Sequence, residues 1–288
     1  MNNFRFIGKS VRGFRHIKHG VPNQDSILCH PENLQGPPLC LALADGHGSS
    51  KCFRSERGAR IATEIACQCL LDFYERMQAG PLNGLRNKFA SRVAEKWRDR
   101  VREDMEKDRA AFERELDSLA QQKGADCRLL LKQNPFISYG TTLLAALLSE
   151  NSLFFWQLGD GDILLVNSSG EVKRAIEKDS RLLGNETSSL CQRDCATEFR
   201  TSMYELQKAK TVLVLLCSDG YANSFKSEQD FLQIGTDYYS TLKDEGVAEL
   251  SANLEQWLAE TSREGSGDDI SLGLIFAEDY FATGRYKR

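Results

Sequence analysis

The sequence has no apolar run of the roughly 20 residues that a membrane-spanning helix needs, so no transmembrane segment is expected. The opening MNNFRFIGKSVRG is polar and basic and has no apolar h-region. No signal peptide is therefore expected, and a cytoplasmic location is. Positive charge is not in excess either: the formal net charge is −4. That argues against nucleic acid as a partner, because polyanion binding needs clustered Lys and Arg. Internal repeats and low-complexity tracts are absent as well. Histidine is scarce, with four in 288 residues, and the nine cysteines are an odd number. Cys40, Cys67, Cys69 and Cys217 sit in apolar surroundings, as reduced and buried thiols do. Cys191 and Cys195 form a C-x-x-x-C pair with no further ligands near them in sequence. Two free thiols are expected there rather than a zinc site.

What the chain does have is strands. FRFIGKSVRG (4–13), SILCH (26–30) and PPLCLALAD (37–45) are strand-like, the last being the unbroken apolar run of a strand buried on both faces. A helix is predicted over 54–79, where Ile61, Ile65, Cys69, Phe73 and Met77 recur every fourth residue, and GPLNG (80–84) ends it. A charged stretch at about 85–122 follows. Its apolar residues, Leu85, Phe89, Val93, Trp97, Val101 and Met105, also step by four. Such a stripe drifts about 40° per step around a helix, so one flat surface cannot bury all of it. The stretch is expected to be a solvated helical excursion; a docking or lid element is the other reading.

Strand patterns return over 138–150, 151–170, 198–206 and 211–220. Helical patterns follow at about 227–242 and 246–262, and a last strand at 268–279. Strands with one helical block between them and another before the last favour packed sheets covered by helices over a doubly wound parallel sheet.

Four of these strands carry a carboxylate at an end. One apolar run ends at Asp45-Gly46, one at Gly159-Asp160-Gly161-Asp162 and one at Ser218-Asp219-Gly220; the last strand begins with Asp268-Asp269. Asp-Gly after a strand is ordinarily a turn. Four such ends after strongly apolar runs point further. If the last strand runs antiparallel to its neighbours, its start lies beside their ends. Clustered carboxylates repel one another and raise each other's pKa. A divalent cation removes that cost, and hard oxygen donors suit Mg²⁺ or Mn²⁺ better than zinc.

The ordered set Asn23-Gln24-Asp25, Ala44-Asp45-Gly46-His47-Gly48, Gly140-Thr141-Thr142, Leu158-Gly159-Asp160-Gly161-Asp162, Ser218-Asp219-Gly220 and Gly267-Asp268-Asp269 resembles the type 2C metal-dependent serine/threonine protein phosphatases, in a divergent prokaryotic-type branch. The resemblance runs from about residue 8 to 277. It implies an α+β fold of two packed antiparallel β-sheets flanked by helices on both faces, an α-β-β-α sandwich forming a single phosphatase-like domain over 1–288. It also implies two Mg²⁺ or Mn²⁺ ions at one end, with a weak third, and hydrolysis of phosphoserine and phosphothreonine by a metal-bridging hydroxide. Carried over by position, Asp45 bridges both metals and the Gly46 carbonyl binds one. Asp219 and Asp268 hold the second, Asp25 orders metal-bound water, and Asp160 serves the third. His47, whose pKa lies near neutrality, is the candidate proton donor. The implied partners are phosphorylated proteins, substrates of a serine/threonine kinase.

Three positions depart from the family pattern. Gln24 stands where many members have a metal-associated glutamate. Asn223 replaces an aspartate of the third metal. Gly20 falls where many members place a phosphate-binding arginine, so His16, then Arg12, is the expected phosphate cation. These departures motivate an alternative: a weakened module that binds phosphoproteins or regulates a signalling partner without turning phosphoesters over.

Overall fold

A computed structural model describes residues 3–79, 84–179 and 187–283. In chain order the elements are β1 (Phe4–Val11), α1 (Phe14–His19), β2 (Asp25–His30), β3 (Gln35–Gly36), β4 (Leu39–Asp45), α2 (Ser55–Ala79), α3 (Leu85–Lys107), α4 (Arg109–Lys123), α5 (Ala125–Gln133), β5 (Leu143–Leu148), β6 (Ser152–Leu158), β7 (Asp162–Asn167), β8 (Val172–Arg174), α6 (Cys195–Glu198), β9 (Arg200–Glu205), α7 (Leu206–Ala209), β10 (Thr211–Cys217), α8 (Asp219–Ala222), α9 (Glu228–Asp244), α10 (Val247–Glu264), β11 (Ile270–Ala277) and α11 (Glu278–Thr283). A short 3₁₀ turn, Pro135–Tyr139, precedes β5.

The strands form two sheets, in the orders β3-β1-β11-β10-β7-β8 and β2-β4-β5-β6-β9. Every described strand pairing is antiparallel. Alternation along each strand explains the layering, since successive side chains face opposite ways. In β4, Leu39, Leu41 and Leu43 join the core that reaches the six-stranded sheet, α9 and α10. Cys40, Ala42 and Ala44, between them, face the core under α2 and α3. In β5, Leu144, Ala146 and Leu148 face the first core, while Leu143, Ala145 and Leu147 face the second. The expected α-β-β-α sandwich is what forms.

The 85–122 stretch departs from the solvated excursion expected of it. Phe89, Val93, Trp97 and Val101 are buried. The 40° drift is real, but different partners meet successive parts of the stripe. The Phe89 ring lies 4.2 Å from that of Trp156 on β6. Trp97 donates from its indole to the Gly58 carbonyl of α2 at 3.0 Å and packs against Phe136. Burying side chains of this size contributes roughly 1.5–3 kcal/mol each, against about 0–1 for each surface ion pair on the outer face. The apolar stripe, rather than the many charges, therefore decides where α3 sits. At Asp108 the chain leaves helical geometry before α4, and the helical block runs on to Gln133. Residues 80–83, assigned above to the helix-ending turn, and the side chain of Leu85 lie outside the described residues.

These helices also grip the cleft loop. Arg54, 2% exposed, donates to Glu115 of α4 at 2.6 Å and to the Tyr139 hydroxyl at 2.9 Å. Tyr139 in turn donates to Asp104 of α3 at 2.7 Å.

Candidate metal centre

The antiparallel pairing gathers the acidic strand ends. Asp25 opens β2 directly opposite Asp45 at the end of β4. On the other sheet, β10 ends at Cys217 opposite Leu272, near the start of β11. Ser218-Asp219 and Asp268-Asp269 therefore flank one another. Asp45, Asp160, Asp219 and Asp268 line a single open cleft of about 1280 Å³, together with His47 and Asn223.

The residues around Asp45 are strapped in place by Gly140-Thr141-Thr142. The Asp45 carbonyl accepts from the Thr142 amide at 2.8 Å and the Thr141 hydroxyl at 2.9 Å, and the Asp45 amide donates to the Thr142 hydroxyl at 3.1 Å. The His47 amide donates to the Gly140 carbonyl at 3.0 Å. Gly46 has a packing reason beyond a carbonyl ligand. A Cβ there would come within 2.7 Å of the Gln24 carbonyl oxygen and 2.8 Å of that of Ser55.

The electrostatics are strained in one direction. Burial is the largest push on Asp25, Asp45 and Asp219, and it raises all three carboxyls above the usual range. For Asp25 the neighbouring charge of Asp269 adds to this, and the Ser218 and Ser271 hydroxyls oppose it. For Asp45 the charges of Asp25, Asp219 and Asp268 add to it. Asp45 and Asp219 stand close enough that each shifts the other's titration. Asp219 also accepts from the Asn223 amide at 3.0 Å. Burial lowers the His47 pKa, and the Asp160 carboxylate partly pulls it back.

Two oxygen atoms make the same point. Asp25 Oδ2 and Gln24 Oε1 are buried without a hydrogen-bond partner. Crowded, hydrogen-bond-poor oxygens fit a divalent cation, whose charge cancels the repulsion and whose coordination uses the lone pairs. Gln24 spends its amide on the Ser55 hydroxyl at 2.7 Å, so only its carbonyl oxygen is left to offer.

Of the expected phosphate cations, Arg12 is turned to backbone carbonyls and His16 stands beside Asp268 at the cleft's edge. Arg12 donates to the backbone carbonyls of Val21, at 2.5 Å, and His16, at 3.0 Å, closing the loop around α1. His16 Nδ1 lies 2.8 Å from Asp269 Oδ1. Neither Arg12 nor His16 lines the cleft. Gly20 caps α1 at φ +70°, a conformation that favours glycine over the family's arginine.

Three cleft residues, and Asp269 behind the cleft, escaped the candidate list drawn from sequence. Asp162, buried, pairs with Arg174 Nε at 2.6 Å. Asp269, 3% exposed, accepts from the amides of Gly13 at 2.6 Å and Gln24 at 2.7 Å. Lys178 and Arg200 bring positive charge to the cleft wall. Lys178 donates to Glu228 at 2.9 Å, and Arg200 donates to the Gly159 carbonyl at 2.9 Å. The Gly-Asp-Asp doublet signals Asp269; nothing in the sequence around Lys178 marks it.

The family model for protein phosphatase 2C matches residues 12–259, and the chain belongs to that family. No curated protein sequence matches it. Solved bacterial phosphatases share its fold. Against Mycobacterium tuberculosis serine/threonine phosphatase PstP/Ppp, identity is 19%, coverage is 96% of this chain and 99% of the other, and the TM-score is 0.54. A PstP catalytic domain solved with two manganese ions gives 21%, the same 96% and 99%, and 0.52. Staphylococcus aureus Stp1 gives 16%, 96% and 95%, and 0.55. No helix among the described residues is long and apolar enough to cross a membrane.

Proposed function

We propose that this protein is a Mg²⁺- or Mn²⁺-dependent phosphatase of phosphoserine and phosphothreonine in proteins, with residues 1–288 acting as one phosphatase domain. The observation that carries the reading is the carboxyl cluster: Asp45, Asp160, Asp219 and Asp268 line one cleft and Asp25 stands opposite Asp45, with burial and mutual repulsion raising Asp25, Asp45 and Asp219. Asp45, the Gly46 carbonyl, Asp219 and Asp268 are the assigned holders of two ions, with Asp160 at a weaker third. Bound cations supply Lewis acidity, activating water and neutralising phosphoryl oxygens.

The remaining work falls to the chain. Asp25, deep at the strand pair with a free oxygen, orients water for attack on phosphorus. Thr141 and Thr142 hold the Asp45 main chain rigid, which keeps its carboxylate from following its neighbours. His47 gives a proton to the leaving serine or threonine oxygen. Burial makes its imidazolium the stronger acid, and the Asp160 carboxylate partly opposes that shift. Lys178, on the cleft wall that Arg12 does not reach, attracts the phosphoryl dianion into the cleft. The cleft's width and largely polar wall suit a protein segment rather than a small apolar ligand.

Gln24 and Asn223, each carrying no charge, favour the second reading of a phosphoprotein-binding module with little turnover. A substrate panel separates the two. With Mn²⁺ the protein is expected to hydrolyse a phosphothreonine peptide and p-nitrophenyl phosphate, to lose both activities in chelator, and to leave a cyclic nucleotide intact. Peptide binding without hydrolysis favours the module, and hydrolysis that survives full chelation contradicts the metal reading.

A further inference from the structure

We propose that His16 is a metal ligand in this chain, oriented by Asp269, which gives the second metal position a nitrogen donor beside Asp268. The inference rests on the divalent-metal reading of the cleft. Among the described residues, the ligating atoms of His16, Asp268 and Asp269 converge within 4.8 Å of one another. Asp269 is buried and pinned by the Gly13 and Gln24 amides, so it cannot swing into the cleft. It instead presents Oδ1 to His16 Nδ1 at 2.8 Å. The opposite ring nitrogen, Nε2, faces Asp268 Oδ1 at 3.7 Å. Two donors on one ion, with bonds of about 2.0–2.2 Å, stand roughly 3–4 Å apart. A carboxylate behind a ligating imidazole is the usual device for fixing its tautomer and aim.

The backbone around His16 is built to hold that aim. Arg12 donates to the His16 carbonyl, as do the amides of Gly20 and Val21, and the Arg15 amide donates to the Gly267 carbonyl at 2.8 Å. Helix α1 is thereby tied to the Gly267-Asp268-Asp269 turn itself. His16 Nδ1 is buried and makes no well-aimed hydrogen bond, so a small rotation of the ring can complete its bond to Asp269 and point Nε2 at the ion. Imidazole suits Mn²⁺ better than Mg²⁺, which prefers oxygen throughout. The site is therefore selective for manganese.

Pulsed electron paramagnetic resonance of the Mn²⁺-loaded protein tests this directly, because a bound imidazole nitrogen modulates the manganese echo. The wild type is expected to show ¹⁴N modulation, His16→Gln to lose it and His47→Gln to keep it. Calorimetry on His16→Gln is expected to show about tenfold weaker Mn²⁺ binding, with Mg²⁺ binding changed less than about threefold. Manganese bound without ¹⁴N modulation, or modulation that survives in His16→Gln, overturns the assignment of His16 alone. A wild type that binds no Mn²⁺ overturns the metal reading of the cleft and this inference with it.

Discussion

Asp45→Asn is expected to lower Mn²⁺-dependent turnover of a phosphothreonine peptide by roughly a thousandfold, about 4 kcal/mol of barrier. Asp45 feels Asp25, Asp219 and Asp268 at once, so it sits at the centre of the carboxyl cluster. Asparagine keeps its shape, and the backbone bonds to Thr141 and Thr142 do not involve the carboxylate. The fold should therefore persist while the charge proposed to hold both ions is lost. Steady-state kinetics at saturating Mn²⁺, with circular dichroism as the folding control, checks it. A folded variant within threefold of wild type contradicts the role given to Asp45.

The second large effect is on stability against pH. Asp25, Asp45 and Asp219 have folded pKa values raised, first by burial. A carboxyl raised on folding contributes stability that is fully present below its unfolded value of about 3.9 and is lost as pH rises through the folded value. In chelator the thermal midpoint should thus fall between pH 5 and pH 8. Asp104, lowered in the fold despite burial because Tyr139 and Arg57 hold its charged form, acts only below that window, and the single His47, lowered by burial, opposes the three carboxyls within it. A bound cation takes the place of the protons and removes the decline. At a hundredfold excess over Kd, binding adds about 2.7 kcal/mol, roughly 5–10 °C for a chain of this size. Thermal unfolding at pH 5 and pH 8, with and without Mn²⁺, should show the larger manganese shift at pH 8. A midpoint that rises with pH in chelator, or an equal shift at both pH values, contradicts the cluster.

Some of this was legible in the chain and some was not, for physical reasons. Asp45, Asp219 and Asp268 stand out because each abuts a strand buried on both faces, where only a turn or a ligand tolerates a carboxylate. The sandwich follows from the same runs: alternation in β4 and β5 serves two cores at once, so both faces must be apolar. Helix α3 was misjudged because its period was weighed against one flat surface, whereas Trp156, Gly58 and Phe136 take up the drifting stripe in turn. That backbone carbonyls hold Arg12 was not legible, because charge alone does not reveal such partners. Lys178 is one of several charged residues in its stretch of sequence, and only the fold carries it to the cleft wall. Asp269 lay beside a named ligand, but its amide partners come from Gly13 and Gln24, some 250 residues away in the chain.

Calorimetric titration of Mn²⁺ into the chelator-stripped protein at pH 7 tests the central claim most directly. Two ions per chain are expected, with proton release read from an observed heat that varies with the buffer's ionisation heat, because the cations compete with protons at the raised carboxyls Asp25, Asp45 and Asp219. No saturable binding, or binding without proton release, would contradict a metal centre built from these strand ends.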